Sequence, residues 1–152
     1  MPSRSISRLP RADWLQLDRQ LCFALYSASL AMTKLYKPLL DPLQLTYPQY
    51  LVMLVLWEGD GITVSQLGER VALDSGTLTP LLKRLEASNL VRRLRDTADE
   101  RRVLLQLTAE GRALKARASR VPGCVLAASG CSIPELLQLT HDVRALRERL
   151  AA

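Results

Sequence analysis

Thiols are few and odd in number: Cys22, Cys124 and Cys131 are the only cysteines in 152 residues. That argues against the disulfide framework of a small secreted domain, and each thiol taken singly reads first as a small buried hydrophobe. The sole histidine, His141, lies ten residues beyond the Cys124-x6-Cys131 pair, which matches none of the usual zinc spacings. No metal and no cofactor are therefore expected. The longest apolar run, 51–57, falls far short of the ~20 residues that cross a bilayer. The opening, MPSRSISRLPRADW, has neither an apolar stretch nor a small-residue cleavage site, so no secretory leader is read there. No polybasic tail or strongly basic amphipathic helix stands apart to seek a membrane surface. A cytoplasmic protein is expected.

What is present suits one globular domain. Hydrophobic residues make up 48% and charged residues 24%, while a net charge of +6 and a pI of 9.7 favour an acidic partner. In 62–107 the apolar positions Val64, Leu67 and Val71 mark a short helix. Asp74-Ser75-Gly76-Thr77 then offers turn and N-cap chemistry, because short oxygen-bearing side chains satisfy the free N–H groups of a helix start. A second helix carries Leu78, Leu81, Leu82 and Leu85 on one stripe and turns Ser75, Thr77, Thr79, Lys83 and Arg84 outward. Such a composition lies well on phosphates and reaches base edges. Pro80 predicts that regular helix begins near Thr77, or that the first turn is distorted.

After Asn89 the period changes to that of two strands, 90–95 and 102–107, around the polar turn 96–100. Between Lys83 and Arg102 seven basic residues, Arg93, Arg95 and Arg101 among them, face four acids, a net +3 that is half the excess of the whole chain. A basic helix beside a basic hairpin is the electrostatic footprint of nucleic-acid binding. The fold class expected is mostly α with a small β-hairpin: a winged helix-turn-helix at 62–107 and a helical dimerisation region at 13–58 and 108–152, behind a flexible arm at 1–12.

The flanking helices follow from periodicity. Trp14, Leu17, Leu21, Leu25, Ala28, Met32 and Leu35 predict one long amphipathic helix over 14–40, ended by Pro38 and the Asp41-Pro42 pair. Thr46 or Tyr47 caps the next helix, with Pro48 in its first turn, and 51–57 is apolar nearly all round, as suits a buried helix. Thr108 caps a helix to Arg120, a loop is expected from Val121 through Gly130, and Ser132 with Glu135 restarts a helix through Leu136, Leu139, Val143, Leu146 and Leu150. These terminal stripes exceed what one small domain covers, so a homodimer is expected.

The run from Asp99 to Gly111, DERRVLLQLTAEG, resembles the wing-to-helix signature of the MarR family of dimeric transcription regulators, and LDSGTLTPLLKRLE, beginning at Leu73, resembles its OhrR branch of organic hydroperoxide sensors. The resemblance implies a repressor on a pseudo-palindromic double-stranded operator, with half-sites about 34 Å apart. It implies that Asp99 supports the wing and Arg101 enters the minor groove, where a narrow negative groove favours arginine. It also implies that Cys22 is the redox-sensing thiol and that Tyr36 and Tyr47 of the other subunit donate hydrogen bonds to it. On the residues alone, Cys22 lies beside the Leu21/Leu25 stripe with Tyr26 at i+4, and a buried phenol needs a hydrogen-bond partner.

For the resolving thiol the chain departs from the family, which carries a cysteine where this sequence has Ala127. Cys131, just before the Ser132 cap, gains thiolate character from a helix N-terminus but is pinned there. Cys124, at the entrance of the expected loop, is favoured because a resolving segment must travel, and a one-cysteine sensor in which neither thiol resolves Cys22 is the alternative. Two other readings stand beside a hydroperoxide-released repressor: a MarR-type repressor released by a small phenolic or hydrophobic ligand, and a thiol peroxidase. The last leaves the basic hairpin unexplained, so a regulator rather than an enzyme is expected.

Overall fold

In the computed structural model, which describes residues 14–152, side-chain caps open five of the seven helices. The arm expected at 1–12 lies outside the described residues. The order is α1 (Leu21–Leu40), α2 (Tyr47–Glu58), β1 (Ile62–Thr63), α3 (Val64–Val71), α4 (Ser75–Ala87), β2 (Val91–Arg95), β3 (Val103–Leu107), α5 (Ala109–Ala118), α6 (Val121–Ser129) and α7 (Ile133–Ala151). Thr46, Thr63 and Ser132 form reciprocal capping boxes with Gln49, Gln66 and Glu135. The core gathers around α2, whose Val52, Met53 and Leu56 are buried together with Leu67 of α3, Leu78, Leu82 and Leu85 of α4, and Leu105 of β3. No helix among the described residues is long and apolar enough to cross a membrane.

Four local expectations change. The first long helix begins at Leu21, because the Gln20 side-chain amide donates to the Trp14 and Gln16 carbonyls and its own backbone stays extended at ψ 114°. Pro38 does not end that helix: it lies in the last turn, and the chain leaves helix only at the 3-10 turn Asp41–Leu43, which closes on Gln44 at φ +55°. Regular helix in α4 starts at Ser75 rather than Thr77, since the Asp74 carboxylate accepts the Thr77 N–H at 2.8 Å, and Pro80 sits inside the helix. The loop expected through Gly130 is instead α6, with Pro122 in its first turn, where its missing N–H costs nothing, and Gly130 at φ +68° ending it. The hairpin of β2 and β3, paired Val91 to Leu107 and Arg95 to Val103, also gains β1 on the far side of β3, giving the antiparallel order β1-β3-β2.

The hairpin is fastened to the helices at one crossing. Asn89, at φ +59°, turns the chain out of α4, and its carbonyl accepts the Thr108 hydroxyl at 2.6 Å. The Leu90 carbonyl accepts the Thr108 N–H at 3.1 Å, and the Gly111 N–H donates back to the Thr108 hydroxyl at 3.0 Å. Gly111 also offers its carbonyl to the indole N–H of Trp57 at 2.8 Å, and Asp60 accepts the Leu107 N–H at 2.9 Å. Helix α5 therefore passes directly over the start of the wing. A Cβ on Gly111 would lie 2.1 Å from the Leu90 carbonyl oxygen, a backbone atom that cannot swing aside. Gly111→Ala should destabilise the fold by about 1–3 kcal/mol in denaturant titrations, as overpacking does. Gly76→Ala, whose Cβ meets nothing nearer than 3.4 Å, should not.

Candidate nucleic-acid interface and thiol site

Helix α4 buries Leu78, Leu81, Leu82 and Leu85 and leaves Ser75, Thr77, Lys83 and Arg84 exposed. The Thr77 backbone N–H holds the Asp74 carboxyl below its ordinary range, so the cap stays ionised where the helix dipole favours negative charge. Thr79 is half-buried, and its hydroxyl donates back to the Ser75 carbonyl at 2.8 Å.

The wing brings Arg95 and Arg101 to the surface. At its tip the Asp99 carboxylate accepts the Arg101 N–H at 3.0 Å and the Asp99 carbonyl accepts the Arg102 N–H at 3.0 Å. That is a short side-chain-closed turn, and it fixes the direction from which Arg101 leaves the backbone.

Arg93 behaves differently. Its Nε and Nη2 donate to the two oxygens of Glu86 at 2.9 Å each, with both side chains about 30% exposed. The hydrogen bond holds Glu86 below the usual carboxylate range and Arg93 above its own. A planar fork of this kind ties β2 to the far end of α4, and it sets the angle between helix and wing. Sequence reasoning had grouped Arg93 with the outward basic residues and passed over Glu86, whose signal was being the lone acid on α4.

The thiols are dispersed. Cys22 is exposed at the start of α1, Cys124 is exposed in the first turn of α6, and Cys131 is half-buried with its thiol near the Ser129 carbonyl at 3.7 Å. Cys124 is therefore held on a regular helix rather than at the entrance of a loop. Tyr36 and Tyr47 do come together, with ring centroids 4.8 Å apart, and Tyr50 joins them at 5.8 Å from Tyr36. Burial, with Tyr47 and Tyr50 adding to it, pushes the Tyr36 phenol up to about 12, and burial raises Tyr47 and Tyr50 as well. All three thus keep their O–H protons at neutral pH, ready to donate. Cys22 precedes Tyr36 by fourteen residues of α1, a rise of about 21 Å, so in one chain the thiol and the phenols are far apart.

A family profile described as transcriptional regulator SarA/Rot matches residues 34–118. The organic hydroperoxide resistance transcriptional regulator of Bacillus subtilis is 51% identical over 138 residues, covering 91% of this chain and 94% of that protein. This chain belongs to the MarR family, in its OhrR branch. Solved structures agree with that placement. AbfR of Staphylococcus epidermidis, reduced and bound to DNA, superposes with a TM-score of 0.76 at 31% identity over 93% of this chain and 99% of its own. The disulfide-formed state of AbfR gives 0.61 at 34% identity over 89% and 95%. PcaV of Streptomyces coelicolor, in complex with its natural ligand, gives 0.80 at 26% identity over 88% and 96%. This MarR-family chain is a DNA-binding transcription regulator and not an enzyme.

Two outcomes follow from the charges. Lys83→Ala and Arg95→Ala should each lower the slope of log affinity against log salt by about 1, whereas Arg93→Ala, whose charge Glu86 already neutralises, should change it much less. Arg93→Ala should cost about 1 kcal/mol of stability at neutral pH. That deficit should fade in acid, because the stabilisation from a lowered carboxylate is full above the ordinary carboxylate range and is lost as pH falls through the lowered value.

Proposed function

We propose that two copies of this chain form a cytoplasmic repressor that holds a pseudo-palindromic operator and releases it when an organic hydroperoxide oxidises Cys22. The observation that supports this reading is the separation of Cys22 from the clustered Tyr36 and Tyr47 within one chain, a gap that pairing of two copies would close. Exposed apolar surface supplies the means of pairing. Leu21, Phe23, Leu25, Leu30 and Met32 on α1 and Leu137, Leu139 and Val143 on α7 lie open, and α7 buries none of its residues in a single chain. A dimerisation region of 13–58 and 108–152 would then cover these faces and bring Tyr36 and Tyr47 of one copy to Cys22 of the other.

On DNA, Ser75, Thr77, Lys83 and Arg84 of α4 face the major groove with Thr79 at their margin, Arg95 at the end of β2 adds charge beside the wing tip, Arg93 holds the wing to α4 through Glu86, and Arg101, steadied by Asp99, enters the minor groove. The Cys22 thiolate attacks the hydroperoxide, forming an S–O bond as the O–O bond breaks, and an alkoxide leaves to be protonated as the alcohol. Donated phenol hydrogen bonds favour both the thiolate and the departing oxygen. A second thiolate, from Cys124 or Cys131 of the partner copy, then attacks the sulfenic sulfur and displaces hydroxide to give a disulfide. The disulfide then holds the two Cα atoms within roughly 7 Å, and this constraint on the segments that carry the thiols is what displaces the wings.

The relative from Bacillus subtilis carries hydroperoxide resistance in its name, and AbfR has been captured with a disulfide formed. A second reading, release by a small phenolic or hydrophobic ligand, draws on PcaV, solved in complex with its natural ligand, and on an open cavity of about 260 Å³ lined by Tyr50, Leu54, Trp57, Ala118 and Pro122 with Glu58 and Lys115 at its edge. Gel shifts on the protein's own promoter region separate the two. Under the thiol reading, organic hydroperoxide frees the DNA from the wild type and leaves it bound to Cys22→Ser; equal release from both proteins would favour the ligand reading. Non-reducing gels of peroxide-treated Cys124→Ser and Cys131→Ser identify the resolving thiol as the one whose loss abolishes the covalent dimer.

A further inference from the structure

Pro80 occupies a position that ordinary helix chemistry does not ask for. It is the sixth residue of α4, beyond the first turn where a missing N–H is free of cost, and it leaves the Gly76 carbonyl without its N–H partner from one turn on. Packing does not compensate, since Pro80 is exposed. With roughly 100° of rotation per residue, it falls at the centre of the face opposite Leu78 and Leu85. Thr77 lies on one side of it, a turn back, and Lys83 and Arg84 flank it a turn ahead, all three of them exposed.

A pyrrolidine ring has neither a donor nor an acceptor. Placed against base edges in the major groove, it cannot exchange hydrogen bonds with guanine, adenine or cytosine, and it would desolvate their polar atoms without return. The one apolar feature on those edges is the C5-methyl of thymine. We propose that Pro80 is a specificity-determining residue that packs on a thymine methyl near the centre of each half-site, while Thr77, Lys83 and Arg84 make the polar contacts around it. This rests on α4 being the helix that enters the groove.

The probe is a duplex selected by the full chain from a random-sequence pool, with each thymine replaced in turn by deoxyuridine, which removes only the methyl group. Burial of one methyl corresponds to about a fourfold change in affinity. Wild-type protein should lose about that factor at one thymine position in each half-site, and Pro80→Ala should bind the thymine and deoxyuridine duplexes equally at that position. If no deoxyuridine substitution weakens the wild type, or if one weakens wild type and Pro80→Ala alike, the assignment of Pro80 is wrong. Lys83→Ala and Arg84→Ala on the unsubstituted duplex test the premise separately: unchanged affinity in both would remove α4 from the groove and the proposal with it.

Discussion

The crossing of α5 over the start of the wing, where Gly111 meets the Leu90 carbonyl, is the contact on which the rest of the arrangement depends. There the exit of α4, the first residues of β2, the cap of α5 and the indole of Trp57 share one set of hydrogen bonds. Glycine is required because the two backbones approach too closely for any Cβ. Helix α2 reaches this crossing through Trp57, with Asp60 just beyond its end, while its first residues carry Tyr47 and Tyr50, so one buried helix connects the tyrosines to the start of the wing. Coupling of this sort needs contiguous packed elements, and α2, buried nearly all round, is such an element.

Two further constraints shape the basic surface of α4 and the wing. The Arg93–Glu86 fork fixes the wing relative to α4, so that charge on the wing and charge on the helix act together, and the Asp99 turn fixes the wing tip. The backbone that carries these basic side chains is thereby ordered in advance, which lowers what binding must supply.

Much of the fold could be read in the sequence because its signals are local. The capping oxygens of Thr46, Thr108 and Ser132, the leucine stripe of α4 and the change of period after Asn89 each report on neighbours a few residues away. The errors came where distant or competing partners decide. Gln20 stops the first helix by folding its side chain back, and Pro122 reads as a breaker yet serves as a first-turn residue of α6. The Ile62–Thr63 strand is too short to show a period and exists only because β3 offers it an edge. At the site, the outward residues of α4 followed from helical spacing except for half-buried Thr79, whereas the pairing of Arg93 with Glu86 and the entry of Tyr50 into the tyrosine cluster are tertiary facts with no periodic trace.

The central claim is that the sensing site is shared between two copies, thiol from one and phenols from the other. Mixed dimers test it. A Cys22→Ser subunit paired with a Tyr36→Phe/Tyr47→Phe subunit contains one intact site if thiol and phenols meet across the interface, and none if they meet within a chain. The rate of sulfenic acid formation at Cys22, followed in such heterodimers under an organic hydroperoxide, should recover to about half the wild-type amplitude at the wild-type rate constant. A heterodimer that oxidises no faster than the Tyr36→Phe/Tyr47→Phe homodimer would contradict a site built from two chains.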